Sequence, residues 1–272
     1  MQSPDRGTAV EFQIVVTPNL PESILLIGAS GRTGLCVLRY LCAAAVPVIA
    51  CVRRPDRLPA EPRLAAAEVA VVNLQQPGAI APLFERAAQV IYLAGSARNS
   101  LSPGAWQLEV ESLTTCLEFA QRSGFHGRWS YVGCSDDEPA AGATWAETRW
   151  RELKQEAEQA LKDSSVDYFI LRTGRVTGVI LEEPRVRVSQ EATASSSAAP
   201  LAGELPCNVL AFLLTGIALA GAAHRAEATV RLDPSGVNLQ EAVHAFGRLR
   251  SERVERSSGS LHLLRGGAFH RK

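Results

Sequence analysis

The tightest constraint on this chain is the segment from Ser23 to Gly34. Ile24, Leu25, Leu26 and Ile27 form an apolar run, and three glycines, Gly28, Gly31 and Gly34, follow at intervals of three. A helical pattern comes next, with Leu35, Leu38 and Leu41 on one face. Strand, glycine loop and helix in that order predict a site for the phosphates of a dinucleotide. The loop must turn tightly, its backbone must approach a pyrophosphate, and the helix N-terminus then offers free N–H groups and the positive end of its dipole. A side chain at Gly28 or Gly31 is expected to hold the phosphate off, and one at Gly34 to push the helix from the sheet. Ser30, Arg32 and Thr33 complete the loop, and Arg32 offers a phosphate contact of its own.

The rest of the chain reads as an α/β protein. Strands are predicted at Pro47–Val52, Glu68–Val72, Val90–Leu93, Trp129–Val132 and Asp167–Leu171, with helical segments at Ile80–Ala88, Trp106–Arg122 and Trp145–Lys162. Such alternation implies right-handed crossovers and a doubly wound parallel sheet that binds ligands at the carboxyl ends of its strands. Three segments are expected: an N-terminal extension over 1–21 with a candidate strand at Glu11–Val16, a nucleotide-binding domain over 22–235, and a C-terminal helix and tail over 236–272. The apolar stretch Val209–Ala223 is too short to span a bilayer and reads as a core helix. Ala192–Ala199 reads as a flexible loop.

Composition limits the functions open to the chain. Its 272 residues can bury a substantial core, and 28 basic against 28 acidic residues give no surplus that would favour nucleic acid. The six cysteines and five histidines are scattered, with no Cys-x-x-Cys pair and no metal-like grouping. Reduced thiols and no secretory signal predict an intracellular protein, in the cytoplasm or an organelle.

The end of the second strand bears on the cofactor. An acidic residue there would bind the adenine ribose hydroxyls of NAD. This chain has Val52-Arg53-Arg54-Pro55, and guanidinium groups fit a 2′-phosphate in a bidentate way, so NADP(H) is expected over NAD(H).

Gly28-Ala29-Ser30-Gly31-Arg32-Thr33-Gly34 resembles the loop of atypical short-chain dehydrogenase/reductases of the NmrA-like, NAD(P)H-binding type. Val52-Arg53-Arg54 resembles the family's second strand ending. Val90-Ile91-Tyr92-Leu93-Ala94-Gly95-Ser96 resembles its fourth strand, and Asp167-Tyr168-Phe169-Ile170-Leu171-Arg172-Thr173-Gly174 its sixth-strand signature. The resemblance covers about Ser23 to Gly178. It implies a Rossmann-like fold, bound NADP(H), cofactor contacts at Ala94 and Gly95, and an adenine-side contact at Asn73, where the family usually has Asp.

Active members of that family carry Tyr-x-x-x-Lys on one helix. The lysine holds the nicotinamide ribose and lowers the tyrosine pKa, and the tyrosine passes the proton. The matching segment here is Trp150-Arg151-Glu152-Leu153-Lys154. Lys154 is retained, as a ribose contact or a solvated lysine, while an indole replaces the acid. Trp150 is expected to pack against the sheet. Cys134 falls where many members have the substrate-orienting serine, with Ser135 one step on, and Thr173 replaces the signature proline. Two functions fit. One is an NADPH-dependent oxidoreductase acting on a small carbonyl, alkene or quinone-like substrate. The other is a non-catalytic NADP(H)-binding sensor or a structural subunit of a larger complex. An open cleft beside Trp150 favours the first, and a substrate space filled by its indole favours the second. Beyond Val176 the resemblance fades. Leu181–Pro184 reads as part of a lid or partner-contact loop, and Arg248–Arg256 as a solvated helix or a docking surface.

Overall fold

The computed structural model describes residues 23–96, 104–135, 144–189, 204–220 and 225–246. In chain order the elements are β1 (Ile24–Ile27), α1 (Arg32–Ala43), β2 (Val48–Val52), β3 (Glu68–Val71), α2 (Ala81–Phe84), β4 (Gln89–Tyr92), α3 (Ser112–Arg122), β5 (Arg128–Cys134), α4 (Trp145–Asp163) and β6 (Asp167–Thr173). There follow β7 (Arg175–Thr177), β8 (Arg185–Ser189), β9 (Glu204–Pro206), α5 (Cys207–Leu219), β10 (Ala226–Leu232) and β11 (Val237–Asn238).

Side chains alternate across a strand, so a sheet covered on both faces needs apolar residues at every position. β1 meets that demand with four buried residues: Ile24 and Leu26 join one core, Leu25 and Ile27 the other. β2 divides in the same way, with Val48, Ala50 and Val52 on one face and Ile49 and Cys51 on the opposite one. The first face is covered by α1 and α5, the second by α3 and α4. α5 is buried along its whole length, as the apolar run predicted, although it starts at Cys207.

The nine-stranded sheet has the order β11-β8-β10-β6-β5-β4-β1-β2-β3. Across the sheet from β3 through β2, β1, β4, β5 and β6 to β10 every pairing is parallel, whereas β8 pairs antiparallel with both β10 and β11. The chain moves outward from β1 to β3 and then crosses back to place β4 on the other side of β1. This reversal is the switch point of a doubly wound sheet, where ligands bind outside the carboxyl ends of the strands. The fold is the Rossmann-like α/β architecture expected, extended at the β6 side. β7 and β9 form a separate two-stranded parallel pair.

Several elements depart from the boundaries read in the sequence. Only Ala81–Phe84 of the expected Ile80–Ala88 helix is α-helical. A 3-10 turn precedes it, and Arg86 and Ala87 then donate to the carbonyls three residues back, which tightens the chain into β4. The Trp106–Arg122 helix carries a π-helical turn at Gln107–Glu111 before α3 begins. β5 and β6 each run to seven residues, beyond Val132 and Leu171. α4 follows the prediction closely, started by a capping box in which Thr144 and Glu147 satisfy each other's backbone N–H groups. Glu11–Val16, Ala192–Ala199 and Arg248–Arg256 lie outside the described residues. No helix among the described residues is long and apolar enough to cross a membrane.

Candidate functional site

The glycine loop is pinned at the carboxyl end of β1. The N–H groups of Gly28 and Ala29 both donate to the Cys51 carbonyl of β2, at 3.2 and 3.3 Å. Gly28 has φ +88°, and a Cβ there would lie 2.7 Å from the Ala94 nitrogen. Its glycine therefore serves the turn and the close approach of the β4 end, a constraint distinct from the phosphate clearance expected for it. Gly34 is more crowded still: a Cβ would lie 2.1 Å from the Gly28 oxygen, so the helix would be pushed off the loop itself. α1 begins at Arg32 with no side chain capping its N-terminus and no acidic residue in its first turn. Its leading N–H groups are thus uncapped by any side chain of the protein, and Gly31 to Gly34 border a crevice, which suits an anion site.

A cavity of about 580 Å³ opens from this loop. Gly31, Arg32, Thr33 and Gly34 line one part of it, Tyr92, Leu93, Gly95 and Ser96 the end of β4, and Trp150 and Lys154 the α4 side. Thr173 to Gly178 close it from the β6 side.

Lys154 is held by a buried carboxylate. Its Nζ lies 2.9 Å from Oε2 of Glu109, and the two side chains are 12% and 0% exposed. The same ammonium stands over the Tyr131 ring, 5.1 Å from its centroid, and 5.7 Å from that of Trp150. Burial alone would lower the lysine pKa, but Glu109 and Tyr131 outweigh it and hold the ammonium above its ordinary value. The other Glu109 oxygen accepts from the Ser96 backbone N–H and, at 2.8 Å, from the Ser96 hydroxyl. A Cβ on Gly95 would lie 2.9 Å from that carboxylate, which explains glycine there. The π-helical turn carries Glu109 into this position. Burial pushes the Tyr131 phenol up to about 12 against the pull of Lys154, and the Tyr92 phenol well above its ordinary value.

A sequence model of the NAD(P)H-binding family matches residues 28–199, more than half of the chain. The chain belongs to the NAD(P)H-binding family.

Solved structures agree with that membership in fold. A Bacillus halodurans protein provisionally named an NAD-dependent epimerase/dehydratase aligns with TM-score 0.68 at 19% identity, covering 82% of this chain and 99% of its own. A short-chain dehydrogenase/reductase from Veillonella parvula, solved with NADP, aligns with TM-score 0.61 at 16% identity, covering 79% and 96%. ChuY, an anaerobilin reductase from Escherichia coli O157:H7, aligns with TM-score 0.59 at 19% identity, covering 78% and 98%. No curated protein matches the sequence.

Within this NAD(P)H-binding fold, Gly31, Arg32, Thr33, Gly34, Gly95 and Lys154 border one cavity. Gly28 and Ser30 belong to the same loop, and Ala94 adjoins Gly95, without lining it. Arg53 and Arg54 are exposed just beyond β2, two or three residues past the carbonyl that pins the loop. Asn73 follows β3, and its Oδ1 accepts from the Gln75 N–H at 3.2 Å, so that carboxamide oxygen already shapes its own turn. Cys134 and Ser135 are buried and do not line the cavity. Among the described residues no group of three or more His, Cys, Asp or Glu could hold a metal.

Glu109 escaped the sequence reading, and Thr173 and Trp150 were named there without the places they take on the cavity wall. Glu109 is an acid within an otherwise apolar helical face beside Val110 and Leu113, and that mismatch was its only signal. The Thr173 hydroxyl is buried, without a hydrogen-bond partner, on the cavity wall. Trp150 was expected to pack on the sheet, and it is half-buried on the wall beside Lys154.

Proposed function

We propose that the protein is an NADPH-dependent reductase of conjugated acceptors, of the quinone-like or activated-alkene class. The observation that carries this reading is the cavity itself, which extends from the glycine loop to Lys154 and has Trp150 as part of its wall. The residues suit a dinucleotide: an uncapped helix N-terminus borders the crevice, a glycine cradle leaves no room for a Cβ, and Arg53 and Arg54 stand at the end of β2 for a 2′-phosphate.

A reduced nicotinamide, when bound, supplies a hydride. Lys154, paired with Glu109, stays an ammonium that keeps its proton at neutral pH and presents a charged N–H donor at the cavity wall. Such a charge favours acceptors in which negative charge gathers on an oxygen that tolerates it, as in an enolate or a hydroquinone anion. A simple ketone yields a far more basic alkoxide and calls for a proton donor. The tyrosine position holds Trp150, and burial raises the phenols of both Tyr92 and Tyr131.

The test is a screen of quinones and enones as acceptors, following loss of NADPH absorbance. Turnover is expected with at least one of them, and Lys154→Met is expected to lower kcat by about 10²-fold. NADPH binding with no turnover across the screen would overturn the reductase reading and assign the protein a sensing or structural role.

A further inference from the structure

Two thiols that lie 171 residues apart in sequence meet in the fold. Cys36 sits one turn into α1, and Cys207 is the first residue of α5; their sulfurs are 3.5 Å apart. Both helices contribute to one core, so the pair is framed by packed elements: Val37 and Leu38 follow Cys36, and Val209 and Leu210 follow Cys207. Cys207 is buried, while Cys36 is only partly so and gives the pair its opening to solvent. The proposed reductase chemistry uses neither sulfur.

The surroundings distinguish the two. Cys207 stands at the positive end of a thirteen-residue helix, where its own N–H and that of Asn208 point at the sulfur. The hydrogen bond with Cys36, more than any other influence, holds the Cys207 thiol below its ordinary range. The Arg32 charge adds to this and burial opposes it, while the same hydrogen bond pushes Cys36 up. The pair thus sets one sulfur at a helix N-terminus within 3.5 Å of a second sulfur on the more open side, the arrangement of an attacking and a resolving cysteine. Cys51 and Cys116 differ: burial pushes each up to about 12, which leaves them inert core thiols at neutral pH.

We propose that Cys36 and Cys207 form a redox-active dithiol, oxidised by peroxides to a disulfide that fastens the start of α5 to the helix of the glycine loop. The Cys207 thiolate attacks one peroxide oxygen and the O–O bond breaks. Cys207 becomes a sulfenic acid, and the departing hydroxide takes a proton to give water. The Cys36 sulfur then attacks the sulfenyl sulfur. The S–S bond forms, the S–O bond breaks, and the second water leaves with the thiol proton. Two electrons pass from the sulfurs to the peroxide, and a dithiol reductant reverses the step. The sulfurs must close from 3.5 Å to roughly 2.05 Å, a movement of α5 against α1 beside Arg32.

The test is made on the full-length reduced protein treated with hydrogen peroxide in small molar excess, with thiol counting and peptide mass mapping. Two of the six thiols are expected to disappear, as a cross-link between the Cys36 and Cys207 peptides that is lighter by two hydrogens and is restored by dithiothreitol. In Cys36→Ser the expected product is a sulfenic acid at Cys207, trapped by dimedone. Retention of all six thiols, or oxidation directed to Cys42 or another cysteine, would overturn the proposal. The measurement on the unsubstituted protein stands whether or not the variant folds. It needs no dinucleotide, so its failure leaves the reductase reading untouched.

Discussion

Lys154 and Glu109 form an ion pair that links the cavity wall to the core, with 2.9 Å between Nζ and Oε2 and the carboxylate fully enclosed. Each residue gives the other its reason for being buried, since removing one partner leaves the other as an uncompensated charge. Glu109→Gln should therefore lower stability by about 2–4 kcal/mol, measured by denaturant unfolding. Replacing both partners, as Glu109→Leu with Lys154→Met, should recover most of that loss. A single variant with an unchanged midpoint would contradict the pairing.

The glycine loop makes a contrast that stability measurements can read. A Cβ at Gly34 meets the backbone of Gly28 and Ala29, whereas at Gly78 nothing lies within 4 Å. Gly34→Ala should cost about 1–3 kcal/mol as an overpacked contact and also weaken dinucleotide binding. Gly78→Ala should stay within about 0.5 kcal/mol of the parent. Equal effects from the two would show that the close approach of α1 to the loop is not what requires glycine.

Selectivity between the two dinucleotides is expected to reside in Arg53 and Arg54. Arg53→Ala should weaken NADPH by about tenfold, roughly 1.4 kcal/mol, and leave NADH unchanged, read by fluorescence titration. A matching loss for both cofactors would remove Arg53 from the 2′-phosphate site.

Away from the cavity, Glu227 carries a signed pH dependence. It pairs with Arg172 at 2.7 Å and Lys162 at 3.1 Å. Burial opposes its ionisation, but Arg172 and Lys162 prevail and hold the carboxyl below its ordinary value. A depressed folded-state pKa adds stability above the unfolded value and loses it as pH falls through the folded one. Glu227→Gln should thus cost about 1 kcal/mol near neutral pH. Its deficit should shrink as pH is lowered from about 5 to about 3. A deficit independent of pH would point to lost packing alone.

Much of the fold was legible in the sequence because it is encoded locally. The apolar run before Gly28, the spacing of Gly28, Gly31 and Gly34, and the helical pattern from Trp145 to Lys162 each act within a few positions of themselves. The residues facing Lys154 were harder to find. Glu109 reaches it only because a π-helical turn rotates that stretch and α4 returns to pack beside it, a coincidence of segments 45 residues apart in numbering. The meeting of Cys36 with Cys207 is similar, since it depends on α5 packing against α1. The short α2 and the tight turns after it follow from the way the chain must re-enter the sheet at β4, which no helical periodicity records.

The most direct test of the account is a calorimetric titration of the purified protein with NADPH and, separately, NADH. Saturable binding of NADPH, about tenfold tighter than NADH, is the predicted result. The absence of binding by either dinucleotide would contradict it, and the glycine loop would then serve as architecture alone.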